Sequence, residues 1–513
     1  RPLAQSRSAT GPLAASPPPL MACPLLRPAS LRAVRGPLHL ARSPGLAAVR
    51  LQLVAADGLR RRRSYCSAAL HALDWQPLDS GGASWTRVPK LWQKMGEGAV
   101  LLRAHGIVPP EVREAVWALI PRLSFDRDAD SVDGAPTFEL RWAREGRFTH
   151  DGLAALLAET VEERLLPLLR RSPLCDQGSE LVLCEALVRY YEDGRRRVHP
   201  AHFDADALVT AVFEVSPPDG FEGGFYVQPG AHVSSRLPVR LEAGEVIAHS
   251  FDLQHGVEVS SGTRCSLILW FADSAAACKD KSRPWYERAA ANGSVDALYN
   301  LAKSRRVDDP RGSLRGMREA AEAGHFMAQN DLAGMLLEGR GLPGAAPDEA
   351  GAERWLKESA GQGFYRAMVG LAVLCARRER AEEALSWLRR AAEQRADPEV
   401  LFALGMNYLH GTLSAAKDAD LAAEWLGGAA EMGHPAAQAQ LGLLLLSGAD
   451  GGGGEGASGA ELWLRRALEQ GSFDAATALA GRYLRGGRVG ELGSLVVGGL
   501  RRAGHVSSKW SWR

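Results

Sequence analysis

The sequence predicts an α+β multidomain protein: an antiparallel β-sandwich in the middle of the chain, then an all-α array of helical repeats. Three observations point there. Between residues 198 and 271, short β-rich runs are punctuated by Gly and Pro, as in a sandwich of short strands. From about Pro284 on, Ala, Leu, Gly and charged residues recur at helical period. The pair Trp-Leu returns at Trp355-Leu356, Trp387-Leu388, Trp425-Leu426 and Trp463-Leu464, with spacings of 32, 38 and 38. A period in that range marks stacked helical hairpins.

A length of 513 residues allows two or three domains, each with its own core. The net charge of +1 hides an asymmetry. Residues 1–67 hold eleven Arg, no Lys and one acid, Asp57, so they carry about +10 and the remainder about −9. That balance argues against nucleic acid as a partner of the mature protein. The Arg-, Ser- and Ala-rich, acid-poor segment reads as an organelle transit peptide, mitochondrial or plastid. Met21 is a candidate start, and Arg62, Arg63 and Tyr65 lie where a mitochondrial processing site would place them. Without such an address the expected location is cytoplasmic. No run reaches the roughly 18 apolar residues of a membrane span. The seven Cys are odd in number and scattered, with no C-x-x-C. This argues against a disulfide framework and for a reducing compartment.

In order, residues 68–97 read as a linker with a turn at Gly81-Gly82. Residues 99–103 (AVLLR) read as a strand, and 109–123 as a helix with Pro109-Pro110 in its first turn. A polar loop, 126–136, is placed over the mouth of the sandwich. A second amphipathic helix spans 149–169, and a strand at 181–191 leads into the central segment. Then come 208–215 (LVTAVFEV), closed by Pro217-Pro218-Asp219-Gly220, and 223–227 (GGFYV), stopped by Pro229-Gly230. Residues 246–248 and 266–271 (SLILWF) complete the set.

The chemistry lies at the ends of this segment. On a strand, residues two apart share a face, so His202 and Asp204 can reach one metal while Phe203 packs behind. His255 from a distant strand would complete a 2-His-1-carboxylate set, which suits non-haem Fe(II) and leaves three coordination positions open. His232 reads as a loop residue and His249 as a strand-end residue, with Asp206 and Asp252 pointing away or capping turns.

The ordered set His202-x-Asp204, Gly223-Gly224, Gly244-Glu245-Val246, His255-Gly256-Val257 and Gly262-x-Arg264 resembles the core of the 2-oxoglutarate- and Fe(II)-dependent dioxygenases. Among these it is nearest the prolyl 4-hydroxylase branch. The likeness covers roughly residues 98–273. It implies a double-stranded β-helix (jelly-roll) oxygenase domain over 98–280, with Fe(II) on His202, Asp204 and His255. It also implies 2-oxoglutarate as co-substrate, O2, and ascorbate as a further candidate cofactor. Arg264 would hold the far carboxylate of 2-oxoglutarate bidentately. Ser266, on the same strand face, would add a hydrogen bond. The prolyl 4-hydroxylase branch commonly has Lys where Arg264 stands, and often Tyr where His199 stands. His199 is open between a co-substrate donor, a second metal contact and a solvated loop residue.

Residues 284–490 resemble Sel-one-like repeats, which are related to tetratricopeptide hairpins, in about six copies such as Ala320-Glu-Ala-Gly-His-Phe-Met-Ala-Gln329. Together with the jelly roll this makes an oxygenase domain followed by an all-α helical-repeat solenoid. The Trp-Leu stripe reads as inter-repeat core. Residues 450–459 read as a flexible Gly-rich linker, and 491–513 as a C-terminal tail. The resemblance implies a dioxygenase that hydroxylates a protein residue, prolyl first, with the repeats recruiting the protein or peptide partner. A repeat-based scaffold with an inactive oxygenase domain and a small-molecule 2-oxoglutarate oxygenase are the alternatives. Substrate selectivity is expected in loops 124–136 and 228–238. A cut after Asp280 is expected to spare turnover.

Overall fold

The structure, a computed structural model, describes residues 73–490 except 79–81, 93–97, 127–131, 133–136, 176–179, 193–196, 281, 343, 345, 395–396, 449–454, 486 and 489. The transit-peptide segment 1–67, the tail 491–513 and most of the 126–136 loop lie outside the described residues. The chain is mixed α/β, with a sheet-rich first part and a helical second part. It divides into two compact units, one of which runs through Gly363 and the other from Phe364.

The first unit opens with β1 (Gln76–Pro77), β2 (Ala83–Val88) and β3 (Ala99–Ala104). The expected linker 68–97 is therefore corrected. All six residues of β2 pair with β3, and Ala83, Thr86 and Val88 are buried. Helix α1 (Pro110–Leu119) starts on Pro at its first turn, where the missing N–H costs nothing. Next come β4 (Glu139–Arg144) and β5 (Arg147–Phe148). Helix α2 (Asp151–Glu159) is capped by His150, whose Nδ1 accepts from the Leu153 N–H at 3.2 Å. It runs through a π turn at residues 160–165 into α3 (Leu166–Arg171). The widened turn precedes Pro167, which has no N–H to continue an α ladder.

The remaining strands are β6 (Val182–Tyr191), β7 (Val198–His202), β8 (Val209–Glu214), β9 (Phe221–Val227), β10 (Leu237–Pro238), β11 (Val246–Ser250), β12 (His255–Gly262) and β13 (Arg264–Ala272). They form two antiparallel sheets. The larger has the order β1-β2-β3-β11-β8-β13-β6-β4-β5, and the smaller β10-β9-β12-β7. Strand alternation sorts the side chains into two cores. Leu101, Leu187, Val212, Ile247 and Ile268 of the larger sheet meet Phe225, Val227, Val257 and Val259 of the smaller one. The opposite face of the larger sheet, with Phe213, Leu267, Leu269 and Phe271, packs under Val116, Leu153, Leu157 and Leu165 of the helical segments.

Helix α4 (Ala275–Asp280) follows β13, and a disulfide joins its Cys278 to Cys184 of β6. The odd, scattered cysteine count had argued against such a bond. Spacing cannot reveal a pair 94 residues apart.

Helices α5 (Pro284–Ala291), α6 (Val295–Ser304), α7 (Pro310–Glu322), α8 (Phe326–Leu337) and α9 (Glu349–Gly361) complete the first unit. The second unit holds α10 (Tyr365–Arg377), α11 (Ala381–Gln394), α12 (Pro398–His410), α13 (Ala419–Glu431), α14 (Pro435–Gly448), α15 (Glu455–Glu469) and α16 (Phe473–Arg485). One grammar recurs in both. Gly324 and Gly433 take φ of 99° and 88° at the turn, a region open to Gly without steric cost. The next residue, His325 or His434, caps the following helix through Nδ1. Across neighbouring hairpins Gln362 donates to Gln329, and Gln470 to Gln438, each at 2.8 Å.

Two expectations for the repeats change. Leu388, Leu426 and Leu464 are buried, but Trp387, Trp425 and Trp463 are only half-buried. Arg390 and Arg466 lie 4.2 and 4.9 Å over the Trp387 and Trp463 rings. The stripe is thus a leucine core edged by tryptophans. The expected linker 450–459 already contains the start of α15 at Glu455. Among the described residues no helix is long and apolar enough to cross a membrane.

Candidate metal centre

Strands β7 and β12 are neighbours, and their pairing sets His202 directly opposite His255. Asp204 lies two residues past the end of β7. It therefore reaches the site from a turn rather than by the strand alternation expected from sequence. Ligand atoms of His202, Asp204 and His255 all lie within 4.8 Å of one another, so the three can hold a metal ion.

The imidazoles are pre-oriented. His202 Nδ1 donates to the Pro200 carbonyl at 2.9 Å, and His255 Nδ1 to the Leu253 carbonyl at 3.1 Å. A carbonyl only accepts, so each Nδ1 carries hydrogen and each Nε2 turns a lone pair to the site. His202 Nε2 is 3.4 Å from Asp204 Oδ1, and His255 Nε2 is 3.6 Å from Asp204 Oδ2. Thr210 Oγ1 donates to Asp204 Oδ2 at 2.7 Å and fixes the carboxylate.

Burial by itself would raise the Asp204 carboxyl, but the imidazoles of His255, His202 and His249 outweigh it and hold Asp204 well below its ordinary value. Burial pushes His255 well below its ordinary value and His249 below its own. An ionised carboxylate facing neutral imidazole lone pairs is the donor set a divalent cation requires.

Of the other residues singled out from sequence, His199 is buried on β7 with its ring 4.3 Å from that of His202. It is not a solvated loop residue. His232 is in a loop and caps a short turn through Nδ1. Asp206 pairs with Arg283, and Asp252 accepts from Lys90 at 2.6 Å. Neither joins the metal group. Arg264 is fully buried on β13, and its Nε donates to Glu214 Oε2 at 2.8 Å. Its two terminal nitrogens, the Ser266 hydroxyl and the Tyr191 hydroxyl have no hydrogen-bond partner among the described residues. Tyr191 is the cross-strand partner of Arg264, and its ring lies 5.8 Å from the guanidinium. Buried donors left unmade are expensive. A planar fork with both outer nitrogens open suits a carboxylate.

Sequence reasoning missed His249, Thr210, Glu214 and Tyr191. A usable signal existed for Thr210 and Glu214. Within the apolar run of β8 they alternate with Val212, which faces the core between the sheets.

No family model matches the chain, and no curated protein matches it in sequence. Solved structures match in parts. A protective antigen of uropathogenic Escherichia coli with an SLR fold is 27% identical over 40% of this chain, with a TM-score of 0.34. The match spans 44% of that antigen, less than half its length. A Sel1 repeat protein from Oxalobacter formigenes is 24% identical over 38% of this chain and 81% of its own, with a TM-score of 0.33. An oxidoreductase of the 2OG-Fe(II) oxygenase family from Burkholderia pseudomallei is 17% identical over 34% of this chain and 86% of its own, with a TM-score of 0.28. The chain is thus similar in part to Sel1-repeat structures and in part to a 2OG-Fe(II) oxygenase structure, each at low TM-score and partial coverage.

Proposed function

We propose that this protein is an Fe(II)- and 2-oxoglutarate-dependent dioxygenase that hydroxylates a residue of a protein partner, a prolyl residue first, recruited by its helical repeats. The two facing sheets are then a double-stranded β-helix, the helices from Pro284 a solenoid, and residues 1–67 an organelle address. The observation that carries the proposal is the pairing of two open donor sets on one sandwich. His202, Asp204 and His255 bring their ligand atoms together, and Arg264 keeps two unpartnered guanidinium nitrogens in the same protein interior.

With Fe(II), 2-oxoglutarate and O2 bound, the site supplies the oxidising power to convert a substrate C–H to C–OH, with succinate and CO2 as co-products. The chain's own part is orientation. The backbone carbonyls of Pro200 and Leu253 fix which nitrogen of each imidazole faces the centre. Thr210 holds the carboxylate. Arg264, with Ser266 and Tyr191 beside it, receives the far carboxylate of 2-oxoglutarate, and Glu214 sets the tilt of the guanidinium through Nε. His199 stands beside His202 as a co-substrate contact. Among the described residues nothing points to ascorbate, which is not part of the proposal.

The test is to capture partners on the full chain, then incubate them with Fe(II), 2-oxoglutarate and O2. O2-dependent succinate, matched by one added oxygen atom on a captured partner, is the expected result. Succinate formation that survives both His202→Ala and Asp204→Ala would sink the proposal.

A further inference from the structure

A third imidazole faces the carboxylate of the metal centre. His249 lies on β11, in the larger sheet, with Thr210 of β8 as its cross-strand partner. It is 0% exposed. Its Nδ1 is 3.1 Å from the Ser250 carbonyl, an obligate acceptor, so Nδ1 carries the hydrogen and Nε2 the lone pair. That arrangement repeats those of His202 and His255. Nε2 of His249 has no hydrogen-bond partner among the described residues, and it lies 3.8 Å from Asp204 Oδ2. Its ring centroid is 4.2 Å from that of His255.

A buried lone pair and a carboxylate oxygen facing each other are mutually repulsive, and each lacks the water that would solvate it. A cation shared between them removes both penalties. The spacing allows it. Two donors each about 2.0–2.2 Å from one ion stand roughly 3–4 Å apart. Nε2 of His202, His255 and His249 lie 3.4, 3.6 and 3.8 Å from the Asp204 oxygens. His249 is the outermost of the four, outside the group whose ligand atoms all lie within 4.8 Å of one another.

We propose that His249 is a fourth protein donor to the metal centre, so that three imidazoles and one carboxylate hold the ion. This rests on the reading of His202, Asp204 and His255 as metal ligands, and it changes the consequence of that reading. A six-coordinate ion would then offer two protein-free positions rather than three.

The experiment uses the full chain with Fe(II) in chelator competition and Cu(II) in electron paramagnetic resonance, where nitrogen hyperfine structure counts the bound imidazoles. His249→Phe keeps a ring beside Phe225, whose centroid is 6.2 Å away. His249→Gln is the second variant should the first not fold, with circular dichroism checking both. The expected result is three nitrogens in the parent chain and two in either variant, with Fe(II) affinity lowered roughly tenfold or more. Two nitrogens in the parent chain, or Fe(II) affinity within about twofold of the parent in a folded variant, overturns the inference. If His202→Ala abolishes binding while the His249 variants change nothing, only this inference fails. If His202→Ala also leaves binding intact, the metal-centre reading fails with it.

Discussion

Tyr286 donates its hydroxyl hydrogen to the carbonyl of Ala205, the residue immediately after the metal-site carboxylate Asp204. Around that bond Arg283 pairs with Asp206. Trp92 packs edge-on against both Phe203 and Phe326, with ring centroids 6.4 and 5.2 Å away. The turn that carries Asp204 is therefore held from behind by helices α5 and α8. Removing one such hydrogen bond is worth about 1 kcal/mol. Tyr286→Phe is expected to weaken Fe(II) binding roughly fivefold with helix content unchanged, measured by chelator competition. The cut after Asp280, which the sequence suggested would spare turnover, removes all of these contacts and is expected to lose the metal site. A cut after Gly363 keeps them.

Thr210→Val should separate orientation from packing. The two side chains have nearly the same shape, but valine cannot donate to Asp204 Oδ2. Loss of a partner that orients a ligand typically costs ten- to a hundredfold in metal affinity. A drop of about tenfold, with the melting temperature within a few degrees of the parent, is the expected outcome. Unchanged affinity would mean that the imidazoles alone orient Asp204.

Arg264 needs a more careful variant than alanine. It is fully buried and paired with Glu214, so Arg264→Ala would strand a carboxylate in the core at about 3–5 kcal/mol. That would confuse misfolding with lost binding. Arg264→Lys retains the charge and loses the fork. Fe(II) affinity is expected to stay the same while the 2-oxoglutarate concentration for half-maximal succinate formation rises about tenfold or more. Equal concentration dependence would remove Arg264 from the co-substrate site.

Much of this was legible where residue chemistry and local pattern agree. The run 208–215 became β8, and the turn Gly-His pairs became helix caps. His202, Asp204 and His255 came together because the motif order tracks strand order. Legibility failed where tertiary contacts decide. Strand β2 is short and follows a Gly-Gly turn, so the turn signal masked the strand. Glu214 ends an apolar strand, where a charge ordinarily meets solvent, and only Arg264 across the sheet explains its burial. His249 looked like a strand end because nothing local says that the face it shares with Ile247 looks onto Asp204. The Cys184–Cys278 bond depends on α4 folding back onto β6.

That bond closes a long loop, and long loops restrict the unfolded chain most. With a sequence separation of 94, chain-entropy reasoning gives about 4–5 kcal/mol, and native disulfides typically contribute about 2–4. The double variant Cys184→Ser/Cys278→Ser is expected to lower unfolding stability by about 3 kcal/mol, read from its denaturant midpoint. Reductant should shift the parent midpoint toward the variant and leave the variant unmoved. A parent insensitive to reductant under denaturing conditions would mean that the bond contributes nothing.

Lys90 and Asp296 supply a pH-dependent clamp away from the metal. The ammonium lies 2.6 Å from both Asp252 and Asp296, and His325 Nε2 lies 3.3 Å from Asp296. Burial alone would raise the Asp296 carboxyl, but Lys90 and His325 outweigh it and hold it at about 2, against 3.8 for the free group. Burial opposes the charge on Lys90 too, yet the two carboxylates raise it well above its ordinary value. As pH falls below 3.8 the unfolded chain takes up the Asp296 proton before the folded one does. This contribution is therefore complete above that value and is lost as pH drops toward 2. The Lys90 contribution is complete below about 10.5 and is lost only as pH rises beyond it. Lys90→Met leaves two buried carboxylates without their cation, at about 3–5 kcal/mol near neutral pH. That penalty should shrink below about pH 4, where protonation discharges the carboxylates. Chemical denaturation of parent and variant from pH 3 to pH 8 checks it, and a penalty constant across that range would show that Lys90 does not balance these acids.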